Sequence, residues 1–370
     1  MTEAVAPWRR PTCRRRLSPS SGVIKFMKAF TRLMRIKPLA LLLAAGVSTG
    51  ALADAKGSEE IVQFTPHDRL FSVAFSGDFG EAVGEAGLLL QTTDGGKTWR
   101  HEISPPTQAS LFSVAISGAR SVAVGQQGLI LVRDGRKQWR KIEAVTDQRL
   151  LRVSMNKAGV AVAVGAFGTL LKSSDYGETW SELKPDWATL YQSEETSDFA
   201  AVRDEPTLYV VKVFDDGSIV IGGEYGQLNR STDGGNTWTS VFRAAAAKAG
   251  STPPTVFGMN FRADGTGYAT GQEGLIIMTP DQGQSWKQLV SGSQASLFDI
   301  DSTGDGHVFA IGMRSCLFST DAGKTWQRLK ALDVGLNWYS GLGHSDSADG
   351  NSVIAVGHSG RVLRLAAAGN

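Results

Sequence analysis

A repeated aspartate is the first feature of this sequence that suggests chemistry. The phrase S/T-x-D-x-G-x-T/S-W occurs five times, and its aspartate and tryptophan are Asp94 and Trp99, Asp175 and Trp180, Asp233 and Trp238, Asp281 and Trp286, and Asp321 and Trp326. A carboxylate can serve as a general acid or base. A turn between antiparallel strands also favours Asp, which caps backbone N–H groups, and Gly where φ is positive. Because one active site cannot use five separated copies of one device, we predict a structural role for the aspartates, with the tryptophans as apolar pegs over the turns.

The other reactive residue types do not group into a site. The histidines are scattered without i, i+3 or i, i+4 spacing, at His67, His101, His307, His344 and His358. Cys316 is the one cysteine in the chain after residue 53, and it reads as a small buried apolar residue. Pairs of glycines occur between two strands instead of before a helix, which is not a nucleotide-binding context. We therefore predict no metal and no cofactor.

The aspartate phrase belongs to a longer unit that recurs seven times. The copies begin with phrases such as LFSVAFSGDFGEAVGEAG and LFSVAISGARSVAVGQQG, and they cover residues 70–103, 111–143, 150–183, 208–242, 256–290, 297–330 and 338–365. Short apolar runs alternate with polar residues and are separated by Gly-containing turns, which indicates strands. Residues 58–365 give 44 residues per copy, the length of a four-stranded propeller blade. The predicted fold is all-β, a seven-bladed β-propeller with four-stranded blades.

The seventh copy ends before its fourth strand. An open ring would leave an unpaired sheet edge exposed. Residues 60–65 precede the first blade and contain the run IVQF, which resembles the fourth strands elsewhere. We predict that this N-terminal strand completes the last blade and closes the ring.

Residues 1–53 differ from the rest of the chain and read as an N-terminal extension with a signal peptide. Lys and Arg precede an apolar run over residues 39–47, and residues 51–53 offer the small-x-small pattern of a signal peptidase site. We predict cleavage after Ala53, with Met27 or Met34 as the true start, a propeller over residues 54–370, and a periplasmic or secreted protein that does not itself span the membrane. Removing 10 basic residues and one acidic residue leaves 28 basic against 35 acidic residues, a net charge of −7, which argues against nucleic acid as a partner.

The aspartate phrase is similar to the Asp box of the bacterial neuraminidase repeat, and the name Asp box is used for it below. A G-x-x-G phrase precedes it in most copies, as Gly84/Gly87, Gly125/Gly128, Gly165/Gly168, Gly223/Gly226, Gly271/Gly274 and Gly357/Gly360, with Gly312 and Ser315 in the sixth. Together these motifs resemble the photosystem II stability/assembly factor propellers and their relatives in non-photosynthetic bacteria. The resemblance implies an exported or lumenal seven-bladed propeller that binds a membrane-protein partner during assembly, without catalysis.

The residues enclosed by the G-x-x-G phrases are the predicted binding residues. We expect them around the mouth of the central channel, on the face that also carries the insertions of residues 182–207 and 243–255. They include Glu85, Gln126, Gln127, Phe167, Glu224, Tyr225, Gln272, Glu273, Arg314 and His358. Photosynthetic members of the family are associated with a basic, arginine-containing surface, whereas Arg314 is the one basic residue within these enclosed pairs.

Two enzymatic or glycan-binding alternatives accompany this interpretation. A sialidase would need an arginine triad, yet the phrase F/Y-R-x-P is absent from residues 54–370. Glu224 and Tyr225 are adjacent, as a sialidase nucleophile pair would require, but neighbours on a tight turn point in different directions. A glycoside hydrolase could use two of Glu85, Glu224 and Glu273, if their carboxyl groups converge. The favoured prediction is a non-catalytic scaffold that binds a membrane or envelope protein, and the alternative is a glycoside hydrolase or carbohydrate-binding propeller.

Overall fold

The computed structural model describes residues 52–54, 58–135, 137–191, 205–248, 251–304, 306–330, 332–345 and 352–366. The predicted signal segment lies outside these residues except for Leu52 and Ala53. Within the described part of the chain there are 29 strands and one short α-helix, α1 (Trp187–Tyr191). None of its helices is long and apolar enough to cross a membrane.

The strands follow one another along the chain with the repeat of the sequence. The first half consists of β1 (Leu52–Asp54), β2 (Glu59–Val62), β3 (Leu70–Ser76), β4 (Phe79–Gly84), β5 (Leu89–Thr92), β6 (Arg100–His101), β7 (Leu111–Ser117), β8 (Arg120–Gly125), β9 (Ile130–Asp134), β10 (Arg140–Ile142), β11 (Leu150–Met155), β12 (Ala161–Gly165), β13 (Leu170–Ser173) and β14 (Ser181–Glu182). The second half consists of β15 (Leu208–Val213), β16 (Ile219–Gly223), β17 (Gln227–Ser231), β18 (Thr239–Arg243), β19 (Val256–Phe261), β20 (Gly267–Gly271), β21 (Ile276–Thr279), β22 (Lys287–Leu289), β23 (Leu297–Ser302), β24 (Val308–Gly312), β25 (Ser315–Ser319), β26 (Gln327–Lys330), β27 (Tyr339–Gly343), β28 (Ser352–Gly357) and β29 (Val362–Ala366).

These strands form seven separate antiparallel sheets, one for each predicted repeat. In blades one to six, four strands pair in chain order, from β3 to β6 in the first blade to β23 to β26 in the sixth. Blade seven contains β27, β28 and β29, and β2 is its fourth strand. The prediction of a seven-bladed β-propeller with four-stranded blades is therefore confirmed.

Ring closure by the N-terminal segment is also confirmed. Strand β2 runs antiparallel to β29, with Glu59 opposite Arg364 and Val62 opposite Val362. The predicted range was residues 60–65, and the paired strand is Glu59–Val62. Strand β1 adds in parallel to the outer strand of blade six, where Asp54 lies opposite Lys330. The cleavage position predicted after Ala53 thus lies within β1.

The core lies between the blades, where apolar residues of one sheet pack on the next. The cluster between blades six and seven contains Phe309, Phe318 and Tyr339, all of them buried. Cys316 is buried in the same cluster, and desolvation raises the pKa of its thiol to about 12. This cysteine is therefore a protonated core residue at neutral pH.

Hydrogen bonds join neighbouring inner strands around the channel. A side-chain oxygen of one blade accepts a backbone N–H of the next, as in Ser72 with Val114 at 3.4 Å, Ser113 with Val153 at 3.2 Å, Ser154 with Val213 at 3.1 Å and Asp299 with Leu342 at 3.0 Å. These bonds fix the inner strands to one another, so the channel wall is a rigid support for side chains that line it.

Within each Asp box, hydrogen bonds connect the aspartate carboxylate to other residues of the same turn. In blade one, Asp94 Oδ1 accepts the Thr92 hydroxyl at 2.7 Å and the Thr98 N–H at 2.9 Å, while Oδ2 accepts the Thr98 hydroxyl at 2.6 Å. The indole N–H of Trp99 donates to the Gly96 carbonyl at 3.1 Å. The same carboxylate pattern recurs at Asp175, Asp233, Asp281 and Asp321. The carboxylates of these turns are thereby engaged by donors of their own turn.

Blade two departs from this pattern and carries a buried ion pair in the same region. The Arg133 guanidinium of β9 contacts the Glu81 carboxylate of β4, and their side chains are 4% and 1% exposed. The guanidinium carbon also lies 5.1 Å from the centre of the Trp139 ring. Desolvation raises the pKa of Glu81 to about 7, although Arg133 opposes the shift. A buried ion pair between blades one and two thus lies beside the degenerate Asp box of blade two.

Candidate binding face

The two kinds of turn lie at opposite ends of the blades. Successive strands of an antiparallel sheet run in opposite directions, so the turn after the second strand and the connection after the fourth lie on the same face. The G-x-x-G turns and the connections between blades share this face, which is called the G-x-x-G face. The Asp boxes and the turns between first and second strands form the other, called the Asp-box face.

Close backbone contacts explain the spacing of the glycines. A Cβ atom on Gly84 would lie 2.0 Å from the Arg69 carbonyl oxygen, and one on Gly87 would lie 2.1 Å from the Thr107 carbonyl oxygen. The first contact is with the segment that enters the same blade, and the second is with the segment that leads to the next. Any side chain at either position would push these connections away.

The second enclosed residue of every G-x-x-G turn has a left-handed backbone. The φ angles lie between 51° and 61° for Ala86, Gln127, Phe167, Tyr225, Glu273, Arg314 and Ser359. A non-glycine residue in this conformation costs about 1–2 kcal/mol. This strained turn occurs in all seven blades, and it places seven different side chains at equivalent positions of one face.

Several of the predicted binding residues hold the turn itself. The side-chain oxygens of Gln126, Glu224 and Gln272 accept backbone N–H groups of Ser110, Thr207 and Thr255 at 3.0, 2.8 and 2.9 Å. The Glu85 carboxylate pairs with the Arg69 guanidinium at 3.0 Å. His358 Nε2 lies 3.0 Å from Asp333 Oδ2. These five side chains anchor the connections between blades.

The second enclosed residues reach further into solvent. Gln127, Glu273 and Arg314 are exposed, and Phe167 is 59% exposed. Tyr225 is half-buried because its ring packs at 6.0 Å on Tyr191, which belongs to helix α1 of the first insertion. The structure therefore presents Gln127, Phe167, Glu273 and Arg314 on the outside of the face.

Large exposed apolar side chains concentrate on the G-x-x-G face. Within the described residues they are Ile103, Val145, Phe167, Val290, Met313, Leu332 and Leu336. Phe167 and Met313 belong to G-x-x-G turns, and the other five lie in connections between blades. None of the seven lies on the Asp-box face. This distribution makes the G-x-x-G face the candidate binding face.

An aromatic cup lies at the centre of this face, at the mouth of the channel. Every inner strand has a β-bulge near its first residue, at Phe71, Phe112, Leu151, Tyr209, Phe257, Phe298 and Ser340. A bulge re-aims a side chain, and these residues, with Trp338 and Met313, line a cavity of about 440 Å³. Ring centres lie 5.6 Å apart for Phe71 and Phe112 and 5.2 Å for Tyr209 and Phe257.

Arg152 forms the floor of the cup. Its guanidinium donates to the carbonyls of Tyr209 and Phe257 at 3.4 and 3.2 Å and lies 3.5 Å from Asp299 Oδ1 across the channel. Burial raises the pKa of Asp299, and the Arg152 charge opposes that shift. Arg152 also borders a second, polar cavity of about 730 Å³ toward the Asp-box face, so it separates the cup from the rest of the channel.

The residues that line the cup are mostly not the enclosed pairs predicted around the channel mouth. Of those pairs, only Met313 contributes to the lining, and the other lining residues come from the inner strands and Trp338. The sequence carried a signal for the cup: LF, LF, LL, LY, VF and LF open the first six repeats. A strand with one buried side alternates apolar and polar residues. Two adjacent apolar residues break this alternation, and the break occurs at the same position in six copies.

The described residues contain no group of three or more His, Cys, Asp or Glu side chains that could hold a metal ion. The carboxylates of Glu85 and Glu224, which a hydrolase interpretation would use, are bound to Arg69 and to the Thr207 N–H. The G-x-x-G face therefore has an apolar, largely aromatic centre.

Comparisons with known proteins agree with the architecture. The family model described as Photosynthesis system II assembly factor YCF48 matches residues 54–146 and 132–314, and a BNR/Asp-box repeat matches residues 317–328. The chain is 25% identical over 260 residues to the photosystem II assembly lipoprotein Ycf48 of Synechococcus sp. (strain CC9902), covering 67% of this chain and 70% of that protein.

Solved structures show the same fold. One described as YCF48 bound to D1 peptide has a TM-score of 0.63 at 19% identity and covers 86% of this chain and 99% of its own. YCF48 from Cyanidioschyzon merolae has a TM-score of 0.64 at 21% identity and covers 84% and 98%.

Proposed function

This chain belongs to the family described as Photosynthesis system II assembly factor YCF48, and we propose that it is an exported, non-catalytic scaffold whose G-x-x-G face binds a segment of a membrane or envelope protein. One observation carries the proposal: the seven large exposed apolar side chains of the described residues all lie on that face. A related propeller is described as bound to a peptide, which supports a polypeptide as the partner of this chain.

The different roles of the side chains on the two faces support the interpretation of this protein as a binding scaffold. The Asp-box carboxylates are engaged by donors of their own turns, so their role in the proposal is to hold the blades. Glu85, Gln126, Glu224, Gln272 and His358 fix the connections. Recognition then falls to the exposed residues Gln127, Phe167, Glu273 and Arg314 and to the apolar connections around them.

Export of the protein is part of the proposal. The signal-like segment before Asp54 supports it, as does the lipoprotein description of the relative from Synechococcus. Mass spectrometry of the protein purified from a periplasmic fraction should give a chain that begins at Asp54. A chain that retains its leader and remains in the cytoplasm would contradict export.

Photo-crosslinking from defined positions tests the binding face. Benzoylphenylalanine is introduced in cells at Phe167 or Leu336 on the G-x-x-G face and, as matched controls, at the exposed positions Lys97 or Asn236 on the Asp-box face. We expect one identifiable membrane or envelope protein in the adducts from the first two positions and none from the controls. The same adduct from the control positions, or none from Phe167 and Leu336, would overturn the proposed face.

The absence of catalysis has its own test. Sialoside and β-glucan substrates should remain intact when incubated with the purified protein. Turnover that is lost in Glu224→Gln would contradict the proposal and restore the hydrolase interpretation.

A further inference from the structure

We infer that the aromatic cup receives one aromatic side chain of the bound polypeptide, Phe or Tyr, which packs against the cup walls above the Arg152 guanidinium. This inference rests on the proposed function, because it identifies the chemistry that the G-x-x-G face selects in its partner. It concerns the cup residues alone, so it can fail while the binding face stands.

The cup walls suit an aromatic ring. Phe71, Phe112, Tyr209, Phe257, Phe298 and Trp338 are all half-buried, so each ring keeps an open side. They already contact one another in tilted, stacked and edge-on arrangements, with Phe257 between Tyr209 at 5.2 Å and Phe298 at 5.8 Å. A guest ring would extend the same contacts, which are individually more favourable than apolar burial alone.

The cup has room for an aromatic side chain and lies at the centre of the G-x-x-G face. Its volume of about 440 Å³ lies within the range of small-ligand pockets. Met313 of the cup is itself one of the exposed apolar residues of the face, so the cup is continuous with the surface that the polypeptide would cover. An anchor residue in a central pocket, surrounded by weaker contacts, is the usual arrangement of a binding interface.

The charge of Arg152 at the floor of the cup favours an aromatic side chain over a cationic one. A ring of aromatic residues alone would also attract a Lys or Arg side chain. Here the Arg152 guanidinium lies beneath the rings, and within the described residues its hydrogen bonds run from Nε and Nη2. The guanidinium repels a second cation, whereas it attracts the face of a guest ring and can donate a hydrogen bond to the phenol oxygen of a guest tyrosine.

Small amides of single amino acids test this inference on the full protein. Binding of N-acetyl-tyrosinamide, N-acetyl-phenylalaninamide, N-acetyl-leucinamide and N-acetyl-lysinamide is measured by saturation-transfer NMR titration. We expect the two aromatic amides to bind about tenfold more tightly than the leucine amide, and the lysine amide to bind most weakly. Equal binding of all four, or strongest binding of the lysine amide, would overturn the inference.

Variants place the binding in the cup. Phe257→Ala should weaken binding of the aromatic amides about tenfold, whereas Lys97→Ser, a change of an exposed residue on the Asp-box face, should leave it unchanged. Phe257→Leu retains volume in case the alanine variant does not fold, and it should also weaken this binding. Unchanged affinity in a folded Phe257 variant would overturn the inference. A further outcome is that a Phe257 variant loses amide binding while the protein still crosslinks to its partner from position 167. That result would show that the face binds through contacts other than an aromatic side chain in the cup, so it would overturn this inference but retain the proposed function.

Discussion

The two faces of the ring use the same seven-fold repetition in opposite ways. On the Asp-box face five blades repeat the same aspartate and tryptophan, and each of these aspartates accepts hydrogen bonds from its own turn, as Asp94 does from Thr92 and Thr98. On the G-x-x-G face the glycines repeat, but the residues between them differ from blade to blade, and apolar side chains such as Phe167 are exposed. Residues that repeat without change therefore stabilise the blades, and residues that vary at an equivalent position are available for recognition.

Ring closure is the feature that both faces share, and its loss has the largest expected effect. Deletion of residues 59–65 removes strand β2, which pairs with β29, together with the partly buried Ile61, Val62 and Phe64. We expect the free energy of unfolding to fall by at least about 3 kcal/mol, with partner binding lost at the same time. Thermal unfolding of the chain from residue 54, with and without the deletion, measures this. An unchanged midpoint would show that another segment closes the ring.

The ion pair between Arg133 and Glu81 tests whether another interaction supplies the stability that the degenerate Asp box of blade two has lost. Glu81→Ala leaves the Arg133 guanidinium buried without its partner, which we expect to destabilise the protein by about 3 kcal/mol. Glu81→Gln keeps a hydrogen-bond acceptor at the same place and should have a smaller effect. Urea unfolding of both variants is the measurement. If both variants are as stable as the unchanged protein, the pair does not replace the box.

A tryptophan of a complete Asp box separates stability from binding. Trp238 is half-buried and packs against the cluster between blades three and four, and its indole N–H donates to the Gly235 carbonyl at 3.1 Å. Trp238→Ala should reduce the free energy of unfolding by about 2 kcal/mol, and Trp238→Phe by less. The folded fraction of either variant should still capture the partner. Weakened binding by a stable, folded Trp238 variant would make the Asp-box face part of the interface.

Acid should weaken the Asp boxes, with a smaller effect on stability for each site than the substitutions above. Burial raises the pKa of Asp94, but hydrogen bonds from the Thr98 hydroxyl and N–H lower it more, from 3.8 to about 2. A carboxyl whose pKa is lower in the folded state stabilises the fold above its unfolded value and loses that contribution as the pH falls through its folded value. The unfolding midpoint should therefore decrease between about pH 4 and pH 2, and the decrease should be smaller in Asp94→Asn. An identical pH dependence of the two proteins would contradict this origin.

Much of the architecture could be predicted from the sequence because the repeat carried it. The blade number, the four strands of each blade and the closing strand followed from the period of 44 residues and from the missing fourth strand of the last copy. The candidate site was harder to predict. Gln126 and Gln272 are exposed turn residues, as their sequence suggests, and their amide oxygens also accept the N–H of Ser110 and Thr255. That pairing between segments is not visible in the sequence spacing.

The aromatic cup shows why the centre of the face was missed. The alternating pattern of the repeats predicts ordinary strands at Phe71 and Phe257, whereas a bulge turns each of these side chains into the channel mouth. A bulge depends on how two strands pair, so it appears in one strand's sequence only as a break in alternation. Helix α1 was also not predicted, because five residues are too few to show a helical period.

The central claim is that recognition belongs to one face and stability to the other, and the affinity for the crosslinked partner tests it most directly. One variant combines Ile103→Ser, Val290→Ser and Leu336→Ser on the G-x-x-G face, where these side chains are 72–89% exposed. Its matched control combines Lys97→Ser, Asn236→Ser and Lys324→Ser, all exposed on the Asp-box face. Calorimetric titration should give a Kd about a hundredfold weaker for the first variant and unchanged for the second, with both proteins folded. Equal affinities of the two variants, or weaker binding by the control alone, would contradict the account.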